Sequence, residues 1–191
     1  MKPSDFRRIT LLAAAWMKDS LKAGDSAIDA TAGTGEDTCL LADCVGPAGR
    51  VYAFDIQKEA LKQTRDKLEA RGLLAQTRLF HQGHETLEEI PELAADDRIA
   101  GVMFNLGYLP GGDPKVATEA GTTLRAVQSA LGRLRAGGVM TLALYRHPGG
   151  DEESRQVEAW ASALGRGYNV HKIETINKNN PPYLIVVEKT E

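Results

Sequence analysis

The stretch Asp29-Ala-Thr-Ala-Gly33-Thr-Gly35 decides the fold. It closes a short apolar run, and a second run, Val51-Tyr-Ala-Phe-Asp55, ends on a carboxylate. Glycines at 33 and 35 let the backbone turn sharply and approach a ligand closely. A carboxylate about 20 residues beyond such a turn can accept hydrogen bonds from both hydroxyls of a ribose. Strand, glycine turn, helix, strand and acid together form the pattern of a nucleotide-cofactor pocket in an α/β sheet.

The residues around the glycines separate two cofactor classes. A dinucleotide fingerprint wants a third glycine for close helix packing, and Gly33-Thr-Gly35-Glu-Asp-Thr38 puts Thr there. Glu36 and Asp37 would also place carboxylates at the helix N-terminus, where a pyrophosphate has to sit. A sulfonium cofactor carries no phosphate and presents a cationic methionine end, so the spacing favours S-adenosylmethionine over NAD. Asp29 and Asp37 are the candidates for facing that cation. For Asp29 a second reading stands beside this one, in which it ends the strand as a turn or capping residue.

A chain of 191 residues that is 42% hydrophobic is long enough to bury one sizeable core, so a single domain over 1–191 is expected. The net charge of −3 gives no hint of a nucleic-acid binder, although Arg146, Arg155, Lys172, Lys178 and other cations in the C-terminal half leave a local basic face open. Cys39 and Cys44 are too few for a disulfide framework and lack partners for a zinc site. They read as small core residues in a reducing cytosol, with no metal. No segment reaches the roughly 18 apolar residues that span a membrane, and no signal-peptide pattern opens the chain.

Residues 4–22 place Phe6, Ile9, Leu12, Ala13 and Trp16 near helical spacing, which predicts an amphipathic helix covering the sheet or the cofactor mouth. Beyond it strands and helices alternate: strand 26–30, helix 36–44, strand 50–55, helix 58–71, strand 76–81, strand 98–104, helix 115–135, strand 139–145 and helix 151–164. Two final runs lie near 168–176 and 183–189. The reading is a Rossmann-like, doubly wound sheet of seven mostly parallel strands with helices on both faces. Asn177-Lys-Asn-Asn-Pro-Pro182 is short enough to make the last two strands a hairpin, so the last strand is expected to run antiparallel. That outline is the one of class I methyltransferases.

Ligands of such sheets sit outside the carboxyl ends of the strands. After the first strand, Asp29, Ala30, Thr31, Gly33, Gly35 and Asp37 are the expected cofactor contacts; Thr31 stands where many methyltransferases have another glycine. After the second, Asp55-Ile56-Gln57 supplies the ribose carboxylate and an apolar wall for adenine. After the third, Gly83-His84 takes the place of a Gly-Asp pair that often meets the adenine edge. After the fourth comes Asn105-Leu-Gly-Tyr108-Leu-Pro110-Gly-Gly-Asp113. An amide oxygen at Asn105 can accept a hydrogen bond from an attacking amine, and Tyr108 can stack on a planar substrate, with Pro110, Arg146 and His147 beside them. The segment is similar to the Asn/Asp-Pro-Pro-Tyr segment of amino-methyltransferases without its prolines, and it also reads as an ordinary Gly/Pro-rich loop. His84 and His147 are optional general bases or plain loop residues.

Asn180-Pro-Pro-Tyr183 matches the amino-methyltransferase tetrapeptide letter for letter, yet too little chain follows to build the strands that come after that motif. By order it is a stiff hairpin turn that could reach the site from the side.

Residues 29–38, Tyr52-Ala-Phe-Asp-Ile-Gln57, 104–113, Tyr145-Arg-His-Pro-Gly-Gly150 and 177–182 together resemble the YtqB/MnmM family, long labelled rRNA methylases. The resemblance spans nearly the whole chain. It implies a tRNA methyltransferase that uses S-adenosylmethionine to methylate the primary amine of 5-aminomethyl-2-thiouridine at the wobble position of the anticodon loop. Direct transfer to nitrogen needs no cysteine nucleophile, unlike methylation of uridine C5, so positioning and desolvation should carry most of the rate. Asn105 and Tyr108 are then the catalytic pair, with Asn105 also expected among the cofactor contacts. The rivals are methylation of rRNA, a small metabolite or a protein side chain, a non-catalytic nucleotide-binding module, and an NAD-dependent reductase. A homodimer could supply the basic surface that an acidic chain needs to dock RNA.

Overall fold

Three of the seven strands, those at 26–29, 99–106 and 139–144, are buried along all or nearly all of their length, which is what near-continuous apolar runs give when helices cover both faces of a sheet. The computed structural model describes residues 9–107, 118–145 and 150–191. The sheet is formed by β1 (Ser26–Asp29), β2 (Arg50–Asp55), β3 (Thr77–His81), β4 (Ile99–Leu106), β5 (Val139–Leu144), β6 (Tyr168–Glu174) and β7 (Tyr183–Lys189). Its order is β3-β2-β1-β4-β5-β7-β6, with β7 antiparallel to both neighbours and the other pairings parallel. This is the seven-stranded architecture expected from the alternation of elements.

Two cores sit on the two faces. On one, α1 (Ile9–Ser20), α2 (Glu36–Val45) and α3 (Lys58–Ala70) pack Met17, Leu41, Val45 and Leu68 against Ala27, Val51 and Val186. On the other, a 3-10 turn (His84–Glu89), α4 (Pro91–Ala94), α5 (Ala120–Arg133) and α6 (Gly150–Ser162) bring Leu87, Leu93, Val127 and Val157 to Ile28, Phe54, Phe104 and Leu142. The helix α1 covers the sheet, against β4, β5 and β7. Gly101 makes that approach possible, because a Cβ there would stand 2.9 Å from Met17 Sδ.

The elements differ from expectation mainly at their ends. Glu119 is extended, so α5 begins at Ala120 and ends at Arg133, inside the expected 115–135. The 3-10 turn and α4 were not foreseen: they are too short for a periodic signal, and Pro91 at the start of α4 reads equally as a breaker. The expected residues 4–8 of the first helix lie outside the described residues. No helix among the described residues is long and apolar enough to cross a membrane.

Candidate cofactor and acceptor site

The carboxyl ends of β1, β2 and β4 are laced together by side chains from the loops that follow them. Asp29, at the end of β1, is fully buried: one carboxylate oxygen accepts from Thr38 Oγ1 at 2.6 Å, the other from the Thr31 N–H at 3.2 Å. Burial pushes its carboxyl up to about 7, the charge of Asp37 adds to the rise, and the bonds from Thr38 and Thr31 oppose it. The turn of Asp29 into the loop is thus fixed from below.

Asp55 performs the matching task from β2. Its Oδ2 accepts from the Gly33 N–H and its Oδ1 from the Gln57 N–H, both at 2.8 Å, so one carboxylate joins the two loops. Each carboxylate oxygen keeps capacity for a further donor, as a ribose diol requires. Ile56, between them, is 56% exposed and offers an apolar face at the same rim. Thr64 Oγ1 donates to the Gly33 carbonyl at 3.1 Å. Gly35 has φ 81, and a Cβ there would lie 2.9 Å from Thr64 Cα, so only glycine lets α3 pack this closely on the loop.

Asn105 reaches the rim from β4. Its backbone N–H donates to Thr31 Oγ1 at 2.7 Å, and its Nδ2 donates to the Asp37 carboxylate. A carboxylate only accepts, which fixes the amide's orientation and leaves Oδ1 buried and without a partner among the described residues. Burial raises the Asp37 carboxyl above its usual range; the bond from Asn105 opposes the rise and the charge of Glu36 adds to it.

His84 completes the group on the other face of β4, its ring edge-on to Phe104 with centroids 5.7 Å apart. Its Nδ1 lies 3.2 Å from the Ala30 carbonyl, which can only accept, so Nδ1 carries the hydrogen. Burial lowers the pKa of the ring and favours its neutral form, while the bond to Ala30 works against the shift. Nε2 is then a bare lone pair, buried and without a partner among the described residues. Gly83 precedes it and accepts from the Thr86 N–H and hydroxyl, turning the chain into the 3-10 helix.

Asp29, Ala30, Thr31, Gly33, Gly35, Asp37, Asp55, Gln57, His84 and Asn105 therefore share one hydrogen-bonded rim. Tyr108, Pro110, Arg146 and His147 lie outside the described residues. Arg155 is exposed on α6 and pairs with Glu152. Thr38, read in the sequence only as the residue in place of a third glycine, and Thr64, not singled out there, shape the loop; the signal is a hydroxyl on the buried stripe of each helix. Glu153 was also missed: buried in the first turn of α6, it accepts from Thr118 at 2.8 Å and Thr123 at 2.5 Å. Two hollows, of about 360 and 460 Å³, flank the rim, lined by Lys18, Glu36 and Arg71 in one case and by Lys58, Arg65 and His81 in the other, where His81 pairs with Asp55 across the sheet and its Nε2 lies 3.0 Å from the Ile56 carbonyl.

The two open atoms, Asn105 Oδ1 and His84 Nε2, only accept, and among the described residues the charges acting on them come from the carboxylates Asp37, Asp55, Glu85 and Glu153. That chemistry suits a cation or an amine and repels a pyrophosphate.

The strand order, the antiparallel β7 and a glycine loop tied to the β2 acid make this the fold of class I S-adenosylmethionine-dependent methyltransferases. The profile of the family described as "Putative rRNA methylase" matches residues 51–188, and the chain belongs to that family. It is similar to the crystal structure of a "putative rRNA-methylase" from Clostridium thermocellum, with TM-score 0.89 and 36% identity, covering 94% of this chain and 96% of that one. A "putative methyltransferase" from Streptococcus mutans in complex with SAH has TM-score 0.85 and 34% identity, covering 95% of this chain and 98% of that one. The chloroplastic "tRNA (mnm(5)s(2)U34)-methyltransferase" of Arabidopsis thaliana is 40% identical over 182 residues, 90% of this chain; the chain spans 65% of that protein's length.

Proposed function

We propose that this protein is an S-adenosylmethionine-dependent methyltransferase that methylates a primary amine on RNA, the aminomethyl group of 5-aminomethyl-2-thiouridine at the tRNA wobble position. One observation carries the amine: near the end of β4, Asn105 Oδ1 is a buried acceptor without a partner among the described residues, and Asp37 of α2 holds its amide in place. The wobble nucleotide is supported by the name of the chloroplastic relative and by the resemblance to the YtqB/MnmM family.

In this reading Asp55 takes the ribose, Ile56 walls the adenine, and Gly33 and Gly35 let the backbone come close. Asp29, buried beneath the loop, and Asp37, beside Asn105, favour positive charge there. When bound, the cofactor supplies a methyl group on a sulfonium, an electrophile that needs no metal and no protein nucleophile. Asn105 Oδ1 accepts from an amine N–H and so turns the nitrogen lone pair. His84 Nε2 is a second acceptor on the other side of β4. With its pKa lowered it serves better as a hydrogen-bond acceptor than as a store for the released proton. Tyr108 would stack on the acceptor's ring, and Arg146 and His147 would border it.

The test is methyl transfer from labelled S-adenosylmethionine into tRNA from cells that lack this gene, followed by nucleoside mass spectrometry. Label on the wobble 5-aminomethyl-2-thiouridine is the expected result. Tight cofactor binding with no label in tRNA would overturn the substrate and keep the fold.

A further inference from the structure

The tetrapeptide Asn180-Pro-Pro-Tyr183 is not used by the site just described, yet the sheet brings it to the same rim. Leu106, Leu144, Tyr183 and Glu174 form one row across β4, β5, β7 and β6. The loop 175–182 therefore leaves the sheet one residue above Asn105, displaced sideways by two to three strand spacings, about 10–15 Å.

That loop is fixed at its base and open at its tip. Tyr183 is fully buried, its hydroxyl donates to the Ser154 carbonyl at 3.2 Å, and Lys172 Nζ stands 4.5 Å from its ring centroid. Two prolines precede it, and Asn180, with φ 46, is the one non-glycine residue in the left-handed region among the described residues. Left-handed backbone followed by two prolines leaves the arm few alternative shapes. From Thr175 to Asn180 every residue is exposed, and Ile176 is 97% exposed, the most exposed large apolar side chain among the described residues.

We infer that the arm 175–180 docks the unpaired RNA strand that carries the methyl acceptor. Its chemistry matches such a strand: an isolated apolar side chain, Ile176, offers a surface to a nucleobase face, the amides of Asn177 and Asn179 each donate and accept as base edges and ribose hydroxyls require, and Lys178 meets a phosphate. A stiff arm holds these groups at a set distance from Asn105, so strand docking places the acceptor amine. A chain of net charge −3 has no broad electrostatic attraction for RNA, which makes such a local, chemically specific arm the means of holding it. The inference rests on the RNA reading above.

The experiment uses the full chain carrying Ile176→Ser and, separately, Lys178→Glu, substitutions on exposed side chains that leave the Tyr183 anchor intact. Steady-state transfer to hypomodified tRNA is measured with calorimetric affinity for S-adenosylmethionine and a thermal melt. The expected result is a KM for tRNA raised about tenfold or more in each variant, with KM rather than kcat carrying the loss and cofactor affinity unchanged. The Lys178→Glu variant should also lower the salt dependence of tRNA binding by about one unit of slope. Wild-type transfer with an unchanged KM in both variants overturns the arm alone. A wild-type protein that binds cofactor and labels no RNA overturns the functional reading, and the arm's role with it.

Discussion

The two ends of the carboxyl rim are built on opposite principles. At the β1–β2 end, Asp29 and Asp55 use their carboxylate oxygens to hold backbone N–H groups and a threonine hydroxyl of the protein itself, and the loop is closed before any ligand arrives. At the β4 end, Asn105 and His84 each commit one polar atom to the protein and leave the other buried and open. Burying an acceptor without a donor costs on the order of 1–3 kcal/mol. The difference divides the labour: one end is a preformed cradle, the other is complete only when a donor enters it.

The most damaging way to probe the cradle is at Gly35. Left-handed backbone alone costs a side chain about 1–3 kcal/mol. In Gly35→Ala the new Cβ also meets the backbone of Thr64 at 2.9 Å, where nothing can swing away. The melting temperature should fall by about 2–4 °C per kcal/mol lost, with cofactor affinity falling in parallel by calorimetry. Gly121→Ala is the control, at an exposed position in the first turn of α5 with nothing within 4 Å of the new Cβ, and should gain no more than about 0.5 kcal/mol. Equal, small effects at the two glycines would erase the distinction between the ends.

Asp55→Ala and Asn105→Ala compare the ends directly. Removing Asp55 unties Gly33 and Gln57 and takes away the proposed ribose acceptor, so S-adenosylmethionine should bind about tenfold to a hundredfold more weakly. Removing Asn105 should leave that affinity near its original value and lower single-turnover transfer by about a hundredfold, the scale of a misplaced nucleophile. Calorimetry and rapid-quench assays read the two, and a reversed pattern would exchange their roles.

These asymmetries explain what was legible in the sequence. The cradle is encoded locally: Gly33, Gly35 and Asp55 stand at fixed spacings along one strand-helix-strand unit, so their positions followed from the chain alone. The antiparallel β7 was legible for the same reason, because the hairpin of 175–182 is short. Thr38 and Thr64 were not, since a hydroxyl on a helical stripe becomes meaningful only when Asp29 or Gly33 is placed opposite it. The Asn105–Asp37 bond joins residues 68 apart in sequence, and no periodicity announces it. His84 was noticed by position, but its tautomer depends on Ala30 lying against Nδ1.

Asp29 gives a pH test of the cradle. Its carboxyl is raised from 3.8 to about 7, chiefly by burial, so the folded chain holds a proton there that the unfolded chain has lost. That contribution is complete below about pH 4 and declines as pH rises towards 7. In Asp29→Asn the amide cannot titrate, its oxygen can accept from Thr31, and its NH₂ can donate to Thr38. The difference in melting temperature between variant and wild type should therefore move in the variant's favour from pH 4 to 7 and level off above it. If a cation binds beside these acids, cofactor binding will also release protons near neutral pH. Titrations in buffers of different ionisation enthalpy detect that release, and its absence would remove Asp29 from the electrostatics of the site.

The smallest expected effect belongs to Tyr183→Phe, at the root of the arm. The ring stays buried and keeps its contact with Lys172, while the bond to the Ser154 carbonyl goes. A net loss of about 0.5–1.5 kcal/mol follows for a bond of this kind. If the hydroxyl merely fills a hydrogen-bonding need in the core, stability falls by that amount and transfer to tRNA is unchanged. If it also sets the angle at which the arm leaves the sheet, KM for tRNA rises while cofactor affinity holds. The acceptor end would then depend on its distant anchor in a way that the self-contained cradle does not.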